Sequence, residues 1–394
     1  MRTPCGLRTV VTILEIFAEL LGDTFGKVPC YNTIENWVKK LGLSVYQDEQ
    51  PCKDKKFAMV VDESIAINGQ KLLLTLAIPS EHQNRPIKHE DVTILDISVS
   101  KGFNGDDVQG RIEEAEKSAG NAPDYIISDN GHNLTKGITG SGHIRHADIS
   151  HSMGVILKKV YEKQSDFVEF TTLLGKKRLQ YHLTDKAYLL PPNMRAISRF
   201  MNMPSWVFWG NEMLDCYDTL PEKMQEAYAF IKDYESLLKE LQAVLCAVRH
   251  IEAICKNEGF SVMTSRKCKL YVITHVLGNA HSRQARAGIG MLEYFNREEA
   301  FLTGNMSINI SSDIIESTFG IYKSKKSPNK LYGVTSFVLT IPLYPKVSNE
   351  SVTKTINFKE RIVNVKLKDI STWSTEHLSK NWVTERTKTL RKVS

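Results

Sequence analysis

The stretch KFAMVVDESIAINGQKLLLTLAIP, residues 56–79, decides the fold class. Two largely apolar runs, at 57–61 and 71–79, flank the segment Asn-Gly-Gln at 68–70. Continuous apolar runs of this length are typical of buried strands, and Asn-Gly is a strong signal for a tight turn. The stretch therefore predicts two antiparallel strands joined as a hairpin, with the carboxylate of Asp62 near the end of the first strand.

The residues after this hairpin extend it into a larger sheet. Residues 91–100 (DVTILDISVS) predict a third strand, and residues 105–120 (GDDVQGRIEEAEKSAG) predict a helix. Tyr125–Ser128 forms a short apolar run, and residues 142–151 (GHIRHADISH) favour a further strand. This order of elements resembles the opening of a ribonuclease H-like fold. We therefore expect an α/β protein with a mixed sheet.

Composition indicates a globular chain with more than one domain. Its 394 residues are too many for one simple core, and 42% hydrophobic and 24% charged residues are ordinary values. No run of 18 apolar residues occurs, so we expect no membrane span. The seven cysteines include no Cys-x-x-Cys pair, which favours reduced thiols in a cytosolic compartment.

Positive charge is concentrated in the last fifth of the chain. The whole chain has a net charge of +6, whereas residues 321–394 contain 15 Lys or Arg and 5 Asp or Glu, a net charge of +10. The remainder is therefore slightly acidic. This distribution predicts a polyanionic partner for the basic end, and a solvated tail is the alternative.

The N-terminal residues predict two short helices. The first covers about 9–21, and the second runs from about Thr33 to Leu41 and is closed by Gly42. The basic residues Lys39 and Lys40 lie off the apolar face of the second helix. A helix-turn-helix that binds DNA fits this pattern, and so does a plain pair of helices.

Two acidic residues stand at the ends of predicted buried strands. Asp62 follows the apolar residues 57–61, and Asp129 follows Tyr125–Ser128. A buried carboxylate costs several kcal/mol unless a cation or hydrogen-bond donors compensate it. Mg²⁺ is such a cation, since it prefers oxygen ligands and takes a few carboxylates together with substrate phosphate. The alternative is that each acid caps the turn after its strand.

A third acid lies in SSDIIESTFGIYKSKK, residues 311–326. Glu316 falls in the first turn of a predicted helix, and Lys323 lies seven residues later on the same face. A carboxylate with a cation behind it suits a metal ion and the phosphate beside it. The alternative is a capping box, with Asp313 at the N-cap and Glu316 three residues later.

These residues resemble the active site of a DDE-type transposase of an insertion sequence, a member of the ribonuclease H-like superfamily. The resemblance covers roughly residues 30–345 and matches Asp62, Asp129 and Glu316 to the catalytic triad. It implies that the triad holds two Mg²⁺ or Mn²⁺ ions, hydrolyses a phosphodiester in DNA and joins the freed 3′-OH to a target strand. Lysines after the glutamate are then expected to contact DNA: Lys323, Lys325 and Lys326.

The motif Asp-Ile-Ser-His, Asp148–His151, is a second point of resemblance. Several transposases, including those of the hAT type, have a Cys/Asp-x-x-His pattern after the second catalytic aspartate. Asp148 and His151 are therefore expected to form a structural motif of the family. Two alternatives stay open, a purely structural role and a zinc site. The zinc ligands would be His143, His146, Asp148 and His151.

The 186 residues between Asp129 and Glu316 exceed what the sheet needs. Helical periodicity dominates them, with helices predicted at 151–163, 165–180, 192–203, 221–257 and 262–300 with breaks. hAT-type transposases resemble this layout, and their helical insertion carries a tryptophan that stacks on a flipped base. Trp206 and Trp209 are the candidates here, and core packing is the alternative.

The predicted chain has five parts: a helix-turn-helix-like DNA-binding segment (1–50), the first part of the catalytic core (51–150), an all-helical insertion (151–305), the last part of the core (306–345) and a basic C-terminal segment (346–394).

The resemblance predicts a DNA transposase that acts at the ends of a mobile element. Its partners would be the terminal repeats, the target DNA and further copies of the chain, as a homodimer or higher oligomer, with no membrane involved. The expected location is the cytoplasm of a prokaryote, at the nucleoid. A nuclease of the same fold that never joins strands and a transposase-derived DNA-binding protein without catalysis are the alternatives.

Overall fold

The structure is a computed structural model that describes residues 5–48, 50–64, 67, 69–193, 200, 203–278, 282–304, 306–326, 333–348, 350–380 and 389–391. The chain forms two compact units. The first unit contains Met1–Glu81, Pro86–His146 and Ser312–Ser394. The second contains His82–Arg85 and Ala147–Ser311, which includes the span 151–305 where we expect an insertion.

A five-stranded mixed sheet lies at the centre of the first unit. Its strands are β1 (Phe57–Glu63), β2 (Lys71–Pro79), β3 (Thr93–Ser100), β4 (Ile126–Ser128) and β5 (Arg145–Ala147). Their spatial order is β3-β2-β1-β4-β5. β2 runs antiparallel to both β1 and β3, whereas β4 runs parallel to β1. The predicted hairpin and the predicted α/β fold with a mixed sheet are confirmed.

The helices of the first unit come from two parts of the chain, residues 7–140 and residues 313–377. They are α1 (Leu7–Leu21), α2 (Tyr31–Tyr46), α3 (Gly105–Ala119), α4 (His132–Gly140), α12 (Asp313–Lys325), α13 (Leu343–Ser348), α14 (Glu350–Thr355), α15 (Phe358–Asn364) and α16 (Leu367–His377).

One face of the sheet is covered by α3 and α4. Met59 and Val61 of β1 are fully buried with Val108 and Ile112 of α3 in one apolar cluster. Successive side chains on a strand point to opposite faces, so Asp62 points away from this cluster. The alternation therefore separates the apolar core of the sheet from the face that carries the candidate acid.

The sequence pattern gave no assignment for α4, whose segment HNLTKGITG contains two glycines. The glycine at 137 allows α4 to lie close to α3, since a Cβ built there would lie 2.6 Å from the side chain of Val108. Close packing between the two helices therefore offsets the low helix propensity of glycine.

The second unit is helical over most of its described residues. Its helices are α5 (Ile149–Tyr161), α6 (Ser165–Tyr181), α7 (Met203–Cys216), α8 (Glu222–Tyr228), α9 (Glu235–Glu258), α10 (Val262–His275) and α11 (Arg283–Glu299). The helix predicted at 192–203 falls mostly on 194–199 and 201–202, which lie outside the described residues. Residues 203–216, which form α7, were not predicted as a helix.

The prediction that Gly42 closes the second N-terminal helix is wrong. The helix α2 continues to Tyr46, and Gly42 is buried in its interior. A Cβ built on Gly42 would lie 1.8 Å from the carbonyl oxygen of Leu339, in the 3₁₀ helix Ser336–Thr340. Glycine is therefore present for close approach of two backbones, and not as a C-cap.

The basic C-terminal segment is folded where the structure describes it. Arg361 of α15 donates from Nη1 to the carboxylate of Asp48 at 2.9 Å, and Trp373 of α16 packs edge-on against Tyr46. Beyond α16, the backbone N–H of Ser379 donates to the carbonyl of Val99 at 3.0 Å. The segment therefore packs on α2 and pairs with the outer edge of β3.

The side chain of Gln70 joins this segment to the hairpin. It is 1% exposed, and its Nε2 donates to the carbonyl oxygen of Ser379 at 2.7 Å. Its Oε1 accepts from the N–H of Val334 at 2.9 Å. Two late parts of the chain thus satisfy one buried amide near the start of β2.

Across the part of the chain that the structure describes, we find no helix with the length and apolar character that crossing a bilayer requires.

Substituting Gly42 should destabilise the first unit. Gly42→Ala places a methyl group against the Leu339 carbonyl, so we expect a loss of about 1–3 kcal/mol in the free energy of unfolding. Gly110→Ala on α3 is the control, because no atom lies within 4 Å of a Cβ built there. It should gain up to about 1 kcal/mol from helix propensity. Urea unfolding of both variants measures the difference, and equal stabilities would contradict the close approach.

Candidate functional site

The register between β1 and β4 brings Asp62 and Asp129 next to each other. Val61 is opposite Ser128 in this parallel pair. Continuing the register by one residue places Asp62 beside Asp129, and neighbouring strands lie about 4.8 Å apart. Asp62 is 7% exposed, and its Oδ1 accepts from the N–H of Glu63 at 2.7 Å. The two predicted acids therefore lie at the same edge of the sheet, Asp62 in β1 and Asp129 directly after β4.

The turn after β4 is held by side chains and backbone groups of the first unit. Oδ1 of Asp129 accepts from the N–H of Gly131 at 2.8 Å. Arg145 of β5 donates from Nε to Oγ of Ser128 at 2.8 Å and from Nη2 to Oδ1 of Asn130 at 3.1 Å. Its Nη2 also donates to the carbonyl oxygen of Asp129. No sequence pattern identifies Arg145 as a site residue, because its contacts depend on the order of the strands.

The helix α12 carries Glu316 and Lys323 and packs against β1. The amine of Lys323 lies close enough to the carboxylates of Asp62 and Glu316 for both to raise its pKa, but burial has the larger effect and lowers that pKa. Lys323 is therefore a half-buried cation next to two of the three predicted acids. Glu316 itself is exposed.

The capping-box alternative for Glu316 does not occur. Ser312 is the N-cap of α12 and forms no side-chain capping hydrogen bond, and Asp313 is already the first helical residue. A capping box therefore does not explain why an acid is present at position 316.

An imidazole contacts the same turn of α12. Nε2 of His89 lies 3.2 Å from Oγ of Ser317, the residue after Glu316, and burial lowers the pKa of His89. His89 lies in a 3₁₀ turn between β2 and β3, and no sequence pattern singles it out.

A further buried acid, Asp96 of β3, belongs to the opposite face. It is aligned with Thr75, which is aligned with Val61, and Val61 faces α3. Asp96 forms an ion pair with Arg111 of α3 and accepts from Oγ of Ser98 at 2.9 Å. Its charge is compensated within the core, so it has no place in the candidate site.

The other predicted DNA-binding lysines have contacts inside the first unit. Lys39 forms an ion pair with Glu35, and Nζ of Lys40 donates to the carbonyl of Ile362 at 3.4 Å. Nζ of Lys325 lies 5.2 Å from the ring centre of Tyr344, and burial lowers the pKa of Lys325. Lys326 is the C-cap residue of α12.

The two tryptophans of α7 differ in depth within the second unit. Trp206 is 1% exposed and packs against Phe167 and Phe170 at ring-centre distances of 5.7 and 5.9 Å. Trp209 is half-buried and packs edge-on against Tyr228 at 5.8 Å. Trp206 is therefore a core residue, as the alternative predicts. Trp209 keeps part of its ring exposed and stays the candidate for stacking on a base.

The Asp-Ile-Ser-His motif caps a helix of the second unit. Asp148 is the N-cap of α5, and its Oδ1 accepts from the N–H of His151 at 2.7 Å. The structural alternative accounts for this spacing, since an N-cap bonds to a backbone N–H two or three residues later.

Within the described residues, no group of three or more His, Cys, Asp or Glu side chains is arranged to hold a metal ion. This finding applies to the zinc alternative and also to Asp62, Asp129 and Glu316. The donor chemistry still fits a hard cation, because Asp62 offers carboxylate oxygens from β1 and Asp129 offers them from the turn after β4. The amine of Lys323 lies near two of the three predicted acids, Asp62 and Glu316.

No model of a known protein family matches the chain, and no curated protein matches it.

The two tryptophans should contribute unequally to stability. Trp206→Ala removes a fully buried ring, so we expect a loss of about 3–5 kcal/mol in the free energy of unfolding. Trp209→Ala removes a half-buried ring with one edge-on partner, for which about 1 kcal/mol is expected. Urea unfolding followed by far-UV circular dichroism measures both, and a larger loss for Trp209→Ala would reverse the assignment.

Lys323 should make stability depend on alkaline pH. Its pKa in the folded protein lies below the ordinary value of 10.5, so the unfolded chain binds the proton more tightly. The free energy of unfolding should therefore rise with pH between the lowered pKa and 10.5. Lys323→Met removes this contribution, so the variant should be at least as stable as the wild type at pH 7.

The stability difference between Lys323→Met and the wild type should then shrink as pH approaches 10.5. Urea unfolding from pH 7 to 10.5 measures it, with Lys136→Met, an exposed lysine of α4, as the control. A stability difference that stays constant with pH would show that burial does not lower the pKa of Lys323.

Proposed function

We propose that the chain is a DDE-type transposase with a ribonuclease H-like catalytic unit. One observation carries the proposal: Asp62 lies in β1 one residue beyond its pairing with Ser128 of β4, Asp129 directly follows β4, and α12, which packs against β1, carries Glu316 and Lys323. Three acids that lie far apart in the chain thus belong to one unit, with a lysine next to two of them.

The order of elements supports the same proposal. Three antiparallel strands are followed by a helix and a parallel strand that carries the second acid at its end. A helical unit then precedes the helix with the third acid. This is the sequence of elements that a ribonuclease H-like transposase with a helical insertion would have.

In this proposal, Asp62, Asp129 and Glu316 hold two Mg²⁺ or Mn²⁺ ions. When bound, such ions activate water and stabilise the charge that develops on the phosphate. The chain itself supplies fixed carboxylates: Asp62 is held on a buried strand, and Asp129 is held by the N–H of Gly131. Lys323 supplies a positive charge toward the phosphate, and its partial burial leaves it with few competing water molecules.

The substrate class is duplex DNA. The basic last fifth of the chain supports this choice, since lysine and arginine release counterions when they contact phosphates. Further parts of the proposal are the terminal repeats and target DNA as ligands, assembly as a homodimer or higher oligomer on DNA, and a nucleoid-associated location in a prokaryotic cytoplasm.

Each acid should be required for cleavage and dispensable for DNA binding. Asp62→Asn, Asp129→Asn and Glu316→Gln each remove a negative oxygen ligand, which costs several kcal/mol, or roughly a 10²–10³-fold lower rate. Asp313→Asn is the matched control, since Asp313 lies in the same first turn of α12 as Glu316. The assay incubates the protein with Mg²⁺, duplex DNA from both flanks of the coding sequence and a plasmid.

The products of this assay distinguish the proposal from its alternatives. Joined molecules that disappear in the three variants, but not in Asp313→Asn, support a transposase. Cleaved DNA without joined molecules indicates the nuclease, and DNA binding without cleavage indicates the DNA-binding protein. Full activity in any one of the three variants removes that residue from the triad.

A further inference from the structure

The side chain of Arg145 holds the turn that carries Asp129. Its guanidinium donates to three groups of consecutive residues: Oγ of Ser128 at 2.8 Å, the carbonyl oxygen of Asp129, and Oδ1 of Asn130 at 3.1 Å. Oγ of Ser128 in turn donates to the same carbonyl oxygen at 3.0 Å. A planar group with several fixed donors suits this geometry, whereas a lysine amine cannot reproduce it.

The carboxylate of Asp129 has its own restraint. Its Oδ1 accepts from the N–H of Gly131 at 2.8 Å. A Cβ built on Gly131 would lie 2.9 Å from that same Oδ1. A Cβ at 131 would therefore require the carboxylate of Asp129 to shift, and the three atoms nearest to that Cβ all belong to the Asp129 side chain.

We infer that Arg145 and Gly131 form a clamp that positions Asp129. Arg145 fixes the backbone of the turn from the neighbouring strand β5, and Gly131 fixes the direction of the carboxylate. Arg145 is thus a positioning residue, since it acts through the acid. The inference rests on the proposed function, because the position of Asp129 beside Asp62 matters only if the two acids hold a cation together.

If Arg145 had a purely structural role, its loss would have a different effect on ion binding. Losing a structural arginine lowers the stability of the first unit and leaves ion binding by the remaining folded protein unchanged. Losing a positioning residue weakens ion binding itself, as happens when groups behind metal ligands are removed, typically by 10–100-fold. Ion affinity therefore separates the two roles, and stability does not.

Two variants test the two halves of the clamp. Arg145→Gln removes the charge and most of the donors from the backbone side, and Gly131→Ala displaces the carboxylate without touching the guanidinium. The direct readout is isothermal titration calorimetry of the full-length protein with Mn²⁺ alone. We expect each variant to bind Mn²⁺ at least about 10-fold more weakly than the wild type.

Cleavage and stability provide the second and third readouts. The Mg²⁺ concentration for half-maximal DNA cleavage should rise with the Mn²⁺ dissociation constant, while DNA affinity stays within about twofold, since phosphate contacts elsewhere are unaffected. Arg145→Lys should behave like Arg145→Gln, because it retains the charge but not the planar set of donors.

Arg111→Lys is the matched control for a damaged arginine in the same unit. Arg111 pairs with Asp96 on the opposite face of the sheet, so this change should lower the melting temperature and leave Mn²⁺ affinity unchanged. The Arg111→Lys variant also shows how much a general loss of stability changes the Mn²⁺ affinity measured by calorimetry.

The outcomes separate this inference from the proposed function. If the wild type binds Mn²⁺ and cleaves DNA, but Arg145→Gln and Gly131→Ala bind Mn²⁺ as tightly, the clamp is overturned and the proposed function stands. If Arg145→Gln fails to fold, unchanged binding by Gly131→Ala still overturns the clamp. If the wild type neither binds Mn²⁺ nor cleaves DNA, the proposed function fails, and the inference fails with it.

Discussion

The parallel pairing of β1 with β4 forces two negative charges together. Val61 and Ser128, the residues before the two acids, are paired strand positions with 0% exposure, so this pairing keeps Asp62 and Asp129 at the same edge of the sheet. Like charges on adjacent strands are destabilising, and burial increases the cost. The rest of the candidate site can be understood as a response to this constraint. It supplies donors to Asp129, a backbone N–H to Asp62 and a cation from α12.

The acids on the two faces of the sheet have different kinds of cation beside them. On the face toward α3, Asp96 has a resident guanidinium and a hydroxyl donor, so its charge is fully matched inside the protein. On the other face, the nearby cation is Lys323, an amine whose own charge is disfavoured by burial. The first arrangement is suited to stability. The second is the arrangement on which the proposed function depends.

Much of the sheet could be predicted from sequence, because apolar runs and the Asn-Gly turn are local signals. The strand-end positions of Asp62 and Asp129 follow from the same runs. Tertiary packing determines what was missed. α4 contains glycines that local propensity assigns to a loop, and α2 passes through Gly42 because a distant carbonyl lies against it.

The sequence singled out Trp206 and Trp209 but could not give their depth, since depth depends on which helices surround α7. Arg145 was missed for a related reason. Its contacts arise only when β5 joins the sheet beside β4, and no local pattern encodes that neighbour relation. Short runs of sequence thus determine where the strands are, whereas the partners of the polar side chains depend on how the whole unit folds.

The double hydrogen bonding of Gln70 has a consequence for biosynthesis. Its amide is buried only after Val334 and Ser379 arrive, and Ser379 is 309 residues further along the chain. At a translation rate of about 5–20 residues per second, β2 and the edge of β3 wait on the order of 15–60 s for these partners. The second unit comes mainly from the continuous span 147–311 and is complete earlier. The nascent first unit therefore exposes an unpaired strand edge during that interval, when self-association competes with folding.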